Sequence, residues 1–400
     1  MLRKILTADL NVGMYIHQFC GAWINHPSWK GSFEVKDSQD IVRIQLLTIK
    51  EVWIDLSRGN SLVDAVPVGI DSSAGPSPIS LDEELTEAIK ICARAKAAVI
   101  AMFNDARLGR AISPKQSSLL VDEITDSILR HPHALLSLSR LKTSDDYTYM
   151  HSVAVCILMI ALARQLKMAP DQVKEAGIAG LMHDVGKMMI SSTILDKAGK
   201  LTSEEFKRMK DHPQEGLNIL VKTASFSADV LDVCLHHHEK IDGTGYPHGL
   251  AGDQISLFAK MGAVCDVYDA VTSERPYKKG WGPAHSIREM ASWKGHFDET
   301  VFRNFVKTVG IYPIGALVSL KSGRLGVVVE QNGVSLLKPK VKVFMLIHNK
   351  TPISHEIIDL AYIDQRDKIV QIESAEDLGI SNTETLWSGI SLVNNNNSNE

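Results

Sequence analysis

The chain carries almost no excess of charge of either sign. Its 400 residues include 43 Lys and Arg against 47 Asp and Glu, which gives a formal net charge of −4. A general nucleic-acid binder needs a basic surface, so this balance gives no support to a DNA or RNA polymer as the partner. A local basic pocket for a small anionic ligand stays compatible with it.

Cysteines and long apolar runs are also scarce. The five cysteines are far apart and form no C-x-x-C pair: Cys20, Cys92, Cys156, Cys234 and Cys265. This pattern argues against a disulfide scaffold or a thiolate zinc site and favours a reducing cytoplasm. The longest apolar run, residues 153–163, is too short to span a bilayer and predicts a buried helix. The chain reaches Asp9 before any long apolar run, so no signal peptide is expected.

The length predicts two to three domains. Short β-prone runs alternate with turns over residues 1–75, which we interpret as a small α+β module. Residues 71–78, rich in Ser, Pro and Gly, suit a linker. Helical periodicity over 81–108 and 114–130 predicts a helical connector at 80–135. These two helices can link the domains, join the next bundle or pair two protomers, so a homodimer stays open.

Histidines and aspartates follow one another at helix-length intervals in segment 140–310, which shows successive helical signals. The intervals are 32 residues from His151 to His183, 29 to His212, 26 to His238 and 28 to Asp266. A helix, a turn and a returning helix take roughly 25 to 35 residues. Inward-facing residues at this interval can therefore converge on one point, as they do in the metal sites of helical bundles.

Two pairs of adjacent candidates, His183-Asp184 and His237-His238, indicate more than one metal. Neighbouring helical residues point about 100° apart, so the members of a pair do not easily share one ion from the same side. Two-metal sites suit in-line displacement at phosphorus. Imidazole and carboxylate without thiolate fit iron, manganese, zinc or nickel and leave magnesium open.

A single histidine is more often a hydrogen-bonded or surface residue than a metal ligand. We therefore assign no ligand role to His236, His248, His285 and His296. The prediction of a metal site depends on the combination of five histidines and two aspartates at one group per helix, with cations nearby.

Three motifs carry a family resemblance. The stretch 183–187, H-D-V-G-K, resembles the H-D-x-G-K signature of the HD superfamily of metal phosphohydrolases. The stretch 237–247, H-H-E-K-I-D-G-T-G-Y-P, resembles the signature of its HD-GYP branch, and 264–277 resembles the block that closes that domain. The resemblance covers about residues 140–310. Residues 13–15 and 52–55 are similar to a small module of unclear role that often precedes HD-GYP domains.

The resemblance implies a bacterial signalling enzyme that hydrolyses a cyclic dinucleotide, principally cyclic di-GMP, at a two- or three-metal centre. The product would be the linear dinucleotide and often the mononucleotide. Asp184 is expected to bridge the metals, of which iron and manganese are the first candidates. The implied metal ligands are His151, His183, Asp184, His212, His237, His238 and Asp266.

The resemblance also implies residues that contact the substrate. Lys187 would reach the scissile phosphate and offset its developing charge. Arg275 and Lys278 would bind the substrate's phosphates. Tyr246 would either stack on a guanine or pack beneath its own loop.

One position departs from the family pattern. Some members with three metals have a glutamate four residues before the first histidine, where this chain has Tyr147. The missing oxygen ligand favours two metals over three. If a third metal assists the second cleavage, we expect the linear dinucleotide as the final product.

Residues 311–390 change from helical to strand-like patterns. Strands are predicted at 316–320, 325–330 and 341–346, and the Asn-rich tail 391–400 is predicted to be disordered. The expected fold is therefore multi-domain. It has an all-α HD-type helical bundle at its centre, a small α+β module before it and a small β appendage after it.

Two other functions compete with the cytoplasmic phosphodiesterase. The first is a non-catalytic module that binds a cyclic dinucleotide, or a diguanylate cyclase domain, through the Gly-Tyr-Pro loop. The complete ligand set argues against it, since a binder has no need of seven metal ligands. The second is a phosphohydrolase of another nucleotide, which the Gly-Tyr-Pro block disfavours.

Overall fold

The computed structural model describes residues 2–7, 10, 13–19, 32–35, 51–55, 57–58, 81–138, 147–197, 199–222, 226–273, 280–332, 335–362, 367–380 and 383–388. The predicted linker 71–78 and the predicted disordered tail 391–400 lie outside this set. The chain forms two compact units, Met1–Gly75 and Pro76–Glu400. The predicted connector 80–135 shares a unit with everything that follows it, and the finer domain boundaries stay predictions.

The first unit contains an antiparallel four-stranded sheet. Its strands are β1 Leu2–Leu6, β2 Tyr15–Phe19, β3 Phe33–Glu34 and β4 Glu51–Asp55, in the order β1-β4-β2-β3. Ile16 lies opposite Ile54, and both are buried with Val52 because alternate residues of a strand face the same side. Three of the four strands overlap the β-prone runs 13–17, 33–35 and 51–55 of the sequence, whereas no run was predicted at β1.

The second unit is mainly helical, as predicted for its central segment. Its helices are α1 Leu81–Arg107, α2 Pro114–Arg130, α3 Pro132–Leu138, α4 Tyr147–Gln165, α5 Pro170–Met182, α6 Ser192–Leu195, α7 Ser203–Met209, α8 His212–Val221, α9 Ala228–His236, α10 Leu257–Thr272, α11 Pro283–Ser292 and α12 Glu299–Val309. Short 3-10 turns follow α5 at Val185–Met189 and precede α10 at Gly252–Gln254.

Helix α4 lies at the centre of the bundle. Every residue from 153 to 163 is buried, because the helix is apolar on all sides and is covered by its neighbours. Its window Thr148–Gln165 has a mean hydropathy of 1.3, enough by length and composition to cross a membrane, but 78% of it is buried inside the protein. That burial is typical of a core helix. Helix α1 instead buries a single stripe that includes Leu85, Ile91 and Phe103.

Side-chain caps fix where α7, α9 and α10 begin. Thr202 and Glu205 form a capping box at α7. The Glu205 N–H donates to Thr202 Oγ1 at 3.2 Å, and the Thr202 N–H donates to Glu205 Oε2 at 2.7 Å. Ser227 caps α9 and Ser256 caps α10 by accepting a backbone N–H three residues on. Caps of this kind each stabilise a helix by about 1 kcal/mol, so the helix starts are encoded locally.

A five-stranded antiparallel sheet ends the second unit. Its strands are β5 Leu317–Leu320, β6 Arg324–Glu330, β7 Lys340–Leu346, β8 Thr351–Asp359 and β9 Ile369–Glu373, in the order β8-β7-β6-β5-β9. Leu317 and Val327 belong to the same buried cluster as the helices. Val318 and Val328, which point the other way, form a separate cluster on the far face. The predicted β appendage is therefore present, and β8 and β9 extend it beyond the three predicted strands. Two further short helices follow the sheet, α13 Ala375–Leu378 and α14 Thr383–Ser388.

A buried ion pair joins α1 to α2. The Glu84 carboxylate is 1% exposed and accepts two hydrogen bonds from the Arg130 guanidinium at 2.8 Å and one from Ser127 Oγ at 2.6 Å. Burial alone would raise the pKa of Glu84, but these hydrogen bonds hold it below the ordinary value. The carboxylate is thus ionised and fully paired inside the helical layer.

We expect Glu84→Ala to lower the free energy of unfolding by about 3–5 kcal/mol, because the Arg130 guanidinium would be left half-buried without its partner. Urea denaturation of both proteins measures the difference. Glu87→Ala is the matched control, since Glu87 pairs with Lys90 and Arg94 on the exposed side of the same helix. Equal midpoints for the two variants would contradict the prediction.

Candidate metal centre

The helical unit brings all seven predicted metal ligands to one place. Helix α4 supplies one, the end of α5 two, the start of α8 one, the end of α9 two and α10 one, so the one-group-per-helix arrangement is present in space. Six of the seven are at most 6% exposed, and His238 is half-buried. The ligand candidates are His151, His183, Asp184, His212, His237, His238 and Asp266.

Asp184 lies between two groups of imidazoles. Its Oδ2 is 3.3 Å from His151 Nε2 and 3.2 Å from His183 Nε2. Its Oδ1 is 3.2 Å from His212 Nε2 and 3.8 Å from His237 Nε2. One carboxylate therefore faces four ring nitrogens, two on each oxygen, which is the placement that a bridging ligand requires.

Asp266 provides a second carboxylate to the cluster. Its Oδ1 is 3.0 Å from His151 Nε2 and 3.8 Å from His183 Nε2. Its Oδ2 is 3.7 Å from His238 Nδ1. Asp266 thus lies near His151 and His183, the two rings that face Asp184 Oδ2, and also near the half-buried His238 ring.

Hydrogen bonds behind the rings turn the Nε2 atoms toward the carboxylates. The Nδ1 atoms of His183 and His212 lie 2.8 Å from the carbonyl oxygens of Gly180 and Met209, and His237 Nδ1 lies 2.9 Å from that of Val233. A carbonyl can only accept, so each Nδ1 carries a proton and each Nε2 is turned toward the carboxylates, where the neutral ring can bind a metal.

The ring of His151 is held by a carboxylate that the sequence analysis did not assign to the site. Its Nδ1 lies 2.6 Å from Asp269 Oδ2, and the Ser273 hydroxyl lies 3.3 Å from the same oxygen. Asp269 is 1% exposed. The signal was its position three residues after Asp266, which puts both carboxylates on one face of α10.

The donor set fits divalent metal ions. Three groups have all their ligand atoms within 4.8 Å of one another: His212, His237 and His238; His151, His183 and Asp266; and His183, Asp184 and His237. His183 Nε2 and Asp184 Oδ1 are buried with no hydrogen-bond partner among the described residues. Burying a polar atom without a partner destabilises the fold, so these atoms are suited to binding a cation. Imidazole with carboxylate suits first-row divalent ions.

The charges of the centre are consistent with this interpretation. Burial would raise the pKa of Asp184, but His183 and Lys187 hold it well below its usual range. Burial and the neighbouring imidazoles lower the pKa of His237, and burial lowers that of His238 to about 3, so both rings are neutral. Burial opposes protonation of His151, yet its three carboxylate partners raise its pKa to about 10. A metal at His151 Nε2 would have to displace that proton.

The geometry of the His237-His238 pair corrects the periodicity argument. Helix α9 ends at His236, and His237 is its C-cap. The two rings lie 4.1 Å apart between centroids, and both belong to one potential ligand group with His212. The 100° rule does not apply to them because the chain has already left the helix at this point.

The backbone at Gly186 packs directly against the backbone of α8, because glycine has no side chain to separate them. A Cβ on Gly186 would lie 1.9 Å from the carbonyl oxygen of His212 and 2.4 Å from the nitrogen of Gly216. The turn Val185–Met189 therefore packs directly on the first turn of α8, which sets His212 opposite Asp184. The same turn carries Lys187, whose ammonium contacts Asp184 Oδ2.

The Gly-Tyr-Pro loop closes over one side of the centre. The buried Glu239 carboxylate accepts the backbone N–H of His248 at 2.7 Å and that of Leu250 at 3.0 Å. Gly245 packs against the Glu239 backbone, where a Cβ would lie 2.4 Å from Glu239 Cα. The Tyr246–Pro247 peptide is cis.

Tyr246 is placed against the metal ligands by this loop. Its ring stacks on His238 with centroids 4.6 Å apart and planes at 24°. Burial, together with the carboxylates of Asp266 and Asp184, raises the pKa of its hydroxyl. Lys210 Nζ lies 5.0 Å from the Tyr246 ring centroid and 4.8 Å from that of Phe206. Sequence reasoning had not assigned Phe206 or Lys210 to the site, and their four-residue spacing was the available signal.

Three positions named from the sequence cannot be placed in this geometry. Arg275 and Lys278 lie outside the described residues. Tyr147 begins α4, but its side chain also lies outside them.

The chain is similar to known proteins over almost its whole length. An HD domain model matches residues 127–301, and the domain of unknown function DUF3391 matches residues 2–117. A cyclic di-GMP phosphodiesterase of Pseudomonas aeruginosa is 56% identical over 399 residues, which cover 98% of this chain and 96% of that protein.

Two shorter matches each cover about a third of this chain. A cyclic di-GMP phosphodiesterase response regulator of Xanthomonas campestris is 42% identical over 135 residues, 34% of this chain and 36% of that protein. A 3′3′-cGAMP-specific phosphodiesterase of Vibrio cholerae is 39% identical over 132 residues, 33% of this chain and 28% of that protein.

Proposed function

We propose that this chain, which belongs to the HD-GYP branch of the HD domain family, is a metal-dependent phosphodiesterase. Its proposed substrate is cyclic di-GMP. The observation that carries the proposal is the buried Asp184 carboxylate, which faces four imidazole Nε2 atoms at 3.2 to 3.8 Å. A structural carboxylate needs no such set of ring nitrogens turned toward it.

Two divalent ions fit the donor set, with iron and manganese as first candidates and zinc, nickel or magnesium as alternatives. His151, His183 and Asp266 would hold one ion, and His212, His237 and His238 the other, with Asp184 between them. When bound, such ions supply positive charge for the phosphoryl oxygens and activate water for attack at phosphorus.

The remaining residues bind and orient the substrate. Lys187 would donate to a non-bridging oxygen of the scissile phosphate, because its ammonium already lies at the edge of the centre beside Asp184. Arg275 and Lys278 would bind the substrate's phosphates. Tyr246 would form the wall on the His238 side.

Tyr147 favours the linear dinucleotide as the final product. It stands where members with three metals carry a glutamate, so the oxygen ligand for a third ion is missing. Two ions suffice for one in-line displacement. Mononucleotide as the main product would contradict this part of the proposal.

Mixed-base cyclic dinucleotides are the second candidate substrate, since a 3′3′-cGAMP-specific enzyme is among the relatives. A cytoplasmic location, a homodimer and a diguanylate cyclase partner at the Gly-Tyr-Pro loop stay proposals. A purely binding function is disfavoured by the complete ligand set.

The test is hydrolysis of cyclic di-GMP by protein purified without oxygen and reconstituted with Fe(II) or Mn(II). Cyclic di-AMP and 3′3′-cGAMP are assayed in parallel, with products separated by chromatography and bound metal quantified. Fastest cleavage of cyclic di-GMP supports the proposal. A metal-loaded protein that cleaves none of the three contradicts it.

The carboxylate behind His151 gives a further prediction. Asp269→Asn is expected to lower metal affinity and kcat by roughly 10- to 100-fold, because a neutral amide is a weaker acceptor than the carboxylate and orients the His151 ring less firmly. Metal titration and steady-state kinetics measure the two losses. Asp229→Ala, an exposed substitution on α9, is the control. Wild-type metal affinity in Asp269→Asn would rule out the positioning role.

A further inference from the structure

An aromatic and cationic rim leads from the metal centre to the surface. We define the rim as Phe206, Lys210 and Tyr246. Tyr246 stacks on the ligand candidate His238, Lys210 Nζ lies over the rings of Tyr246 and Phe206 at 5.0 and 4.8 Å, and Phe206 is 50% exposed. The contacts thus run without interruption from the half-buried His238 ring to the half-exposed Phe206 ring.

The backbone ties the rim to the ligands. Phe206 lies on α7, Lys210 is the C-cap of that helix, and His212 opens α8 two residues later. The Tyr246 N–H donates to the His238 carbonyl oxygen at 3.2 Å. The same segments therefore position the rim residues and the ligand candidates, which fixes the rim relative to the centre.

The chemistry of the rim matches a nucleobase better than a structural role. An aromatic side chain that served only to build the core would be buried, whereas half of Phe206 faces solvent. Exposed aromatic rings beside a cation are the means by which proteins bind unpaired bases, since every base presents a flat π-face for stacking. A cyclic dinucleotide held by one phosphate at the centre must place its flanking bases at the rim of the site.

We propose that Phe206 and Lys210 form the subsite for one guanine of the cyclic dinucleotide. The base takes the place of the Lys210 ammonium over the Phe206 ring, and the displaced ammonium donates to the O6 and N7 atoms at the edge of the base. This inference rests on the proposed function. Lysine pairs with guanine because guanine offers two acceptors on that edge, whereas adenine offers one acceptor and a donor that repels an ammonium. Lys210 is then a residue that determines base preference.

Two variants test the subsite in the full-length, metal-loaded protein. Phe206→Ala is expected to raise KM for cyclic di-GMP by roughly 5- to 150-fold, with kcat and metal content close to wild type. Lys210→Met is expected to lower kcat/KM for cyclic di-GMP by about tenfold and to leave that for cyclic di-AMP nearly unchanged. Lys207→Met, an exposed lysine on the same helix, is the control and should match wild type.

The outcomes separate this inference from the proposed function. If wild type cleaves cyclic di-GMP and Phe206→Ala has an unchanged KM, the guanine subsite is contradicted, whereas the proposed phosphodiesterase activity is supported. If Lys210→Met loses activity equally on both substrates, Lys210 does not read the base. If metal-loaded wild type cleaves no cyclic dinucleotide, the proposed function fails and the subsite fails with it. Loss of metal from Phe206→Ala would contradict the subsite and would show that Phe206 positions the ligand candidate His212 instead.

Discussion

Asp184→Ala should lower kcat/KM for cyclic di-GMP by at least roughly 10³-fold, equivalent to about 4 kcal/mol of transition-state stabilisation. Asp184 is the one carboxylate that faces both groups of imidazoles. Without it, four ring nitrogens lose their common anionic partner, and two ions held at close range would repel each other with no bridging charge. Bound metal should therefore fall together with activity. Steady-state kinetics and metal analysis on the same preparation measure both.

Two controls separate the charge of Asp184 from its shape. Asp184→Asn keeps the side-chain volume but removes the negative charge, so it should resemble the alanine variant in activity. Asp253→Ala removes a fully exposed carboxylate from the same unit and should match wild type. An alanine variant that keeps both its metal and more than about a tenth of its activity would contradict the bridging role.

Gly186→Ala should destabilise the metal-free protein by about 3 kcal/mol or more. The added Cβ would lie 1.9 Å from the His212 carbonyl oxygen and 2.4 Å from the Gly216 nitrogen. Both are backbone atoms, so no rotamer change relieves the overlap, and α8 must move away from the turn. His212 would then leave Asp184, and activity should fall even where the variant still folds.

Gly282→Ala is the matched control for this overlap. A Cβ at Gly282 meets nothing within 4 Å, and its φ of −59° suits any residue. Its unfolding free energy should change by about 1 kcal/mol or less, the cost of losing a glycine N-cap. Urea denaturation in the presence of a chelator compares the two variants without the contribution of bound metal. A Gly186→Ala protein as stable as Gly282→Ala would contradict the close packing of turn and helix.

The sequence by itself determined the features that depend on neighbours along the chain. The capping box at Thr202 and the caps at Ser227 and Ser256 place three helix starts, because a cap needs only residues within one turn. The apolar run 153–163 predicted a buried helix, and the one-per-helix spacing of histidines and aspartates predicted that they converge. Strands with weak or two-sided patterns, such as β1 and β8, were missed because their exposed residues break the alternation.

Only the tertiary structure decided which of these residues meet and how. Periodicity placed His237 and His238 on different faces, but the end of α9 at His236 lets both rings enter one ligand group. Asp269 supports His151 from a helix 118 positions away in sequence, and Lys210 meets Tyr246 across two elements. Distances between helices depend on how side chains of several elements interdigitate, and no local pattern in one chain segment encodes that packing.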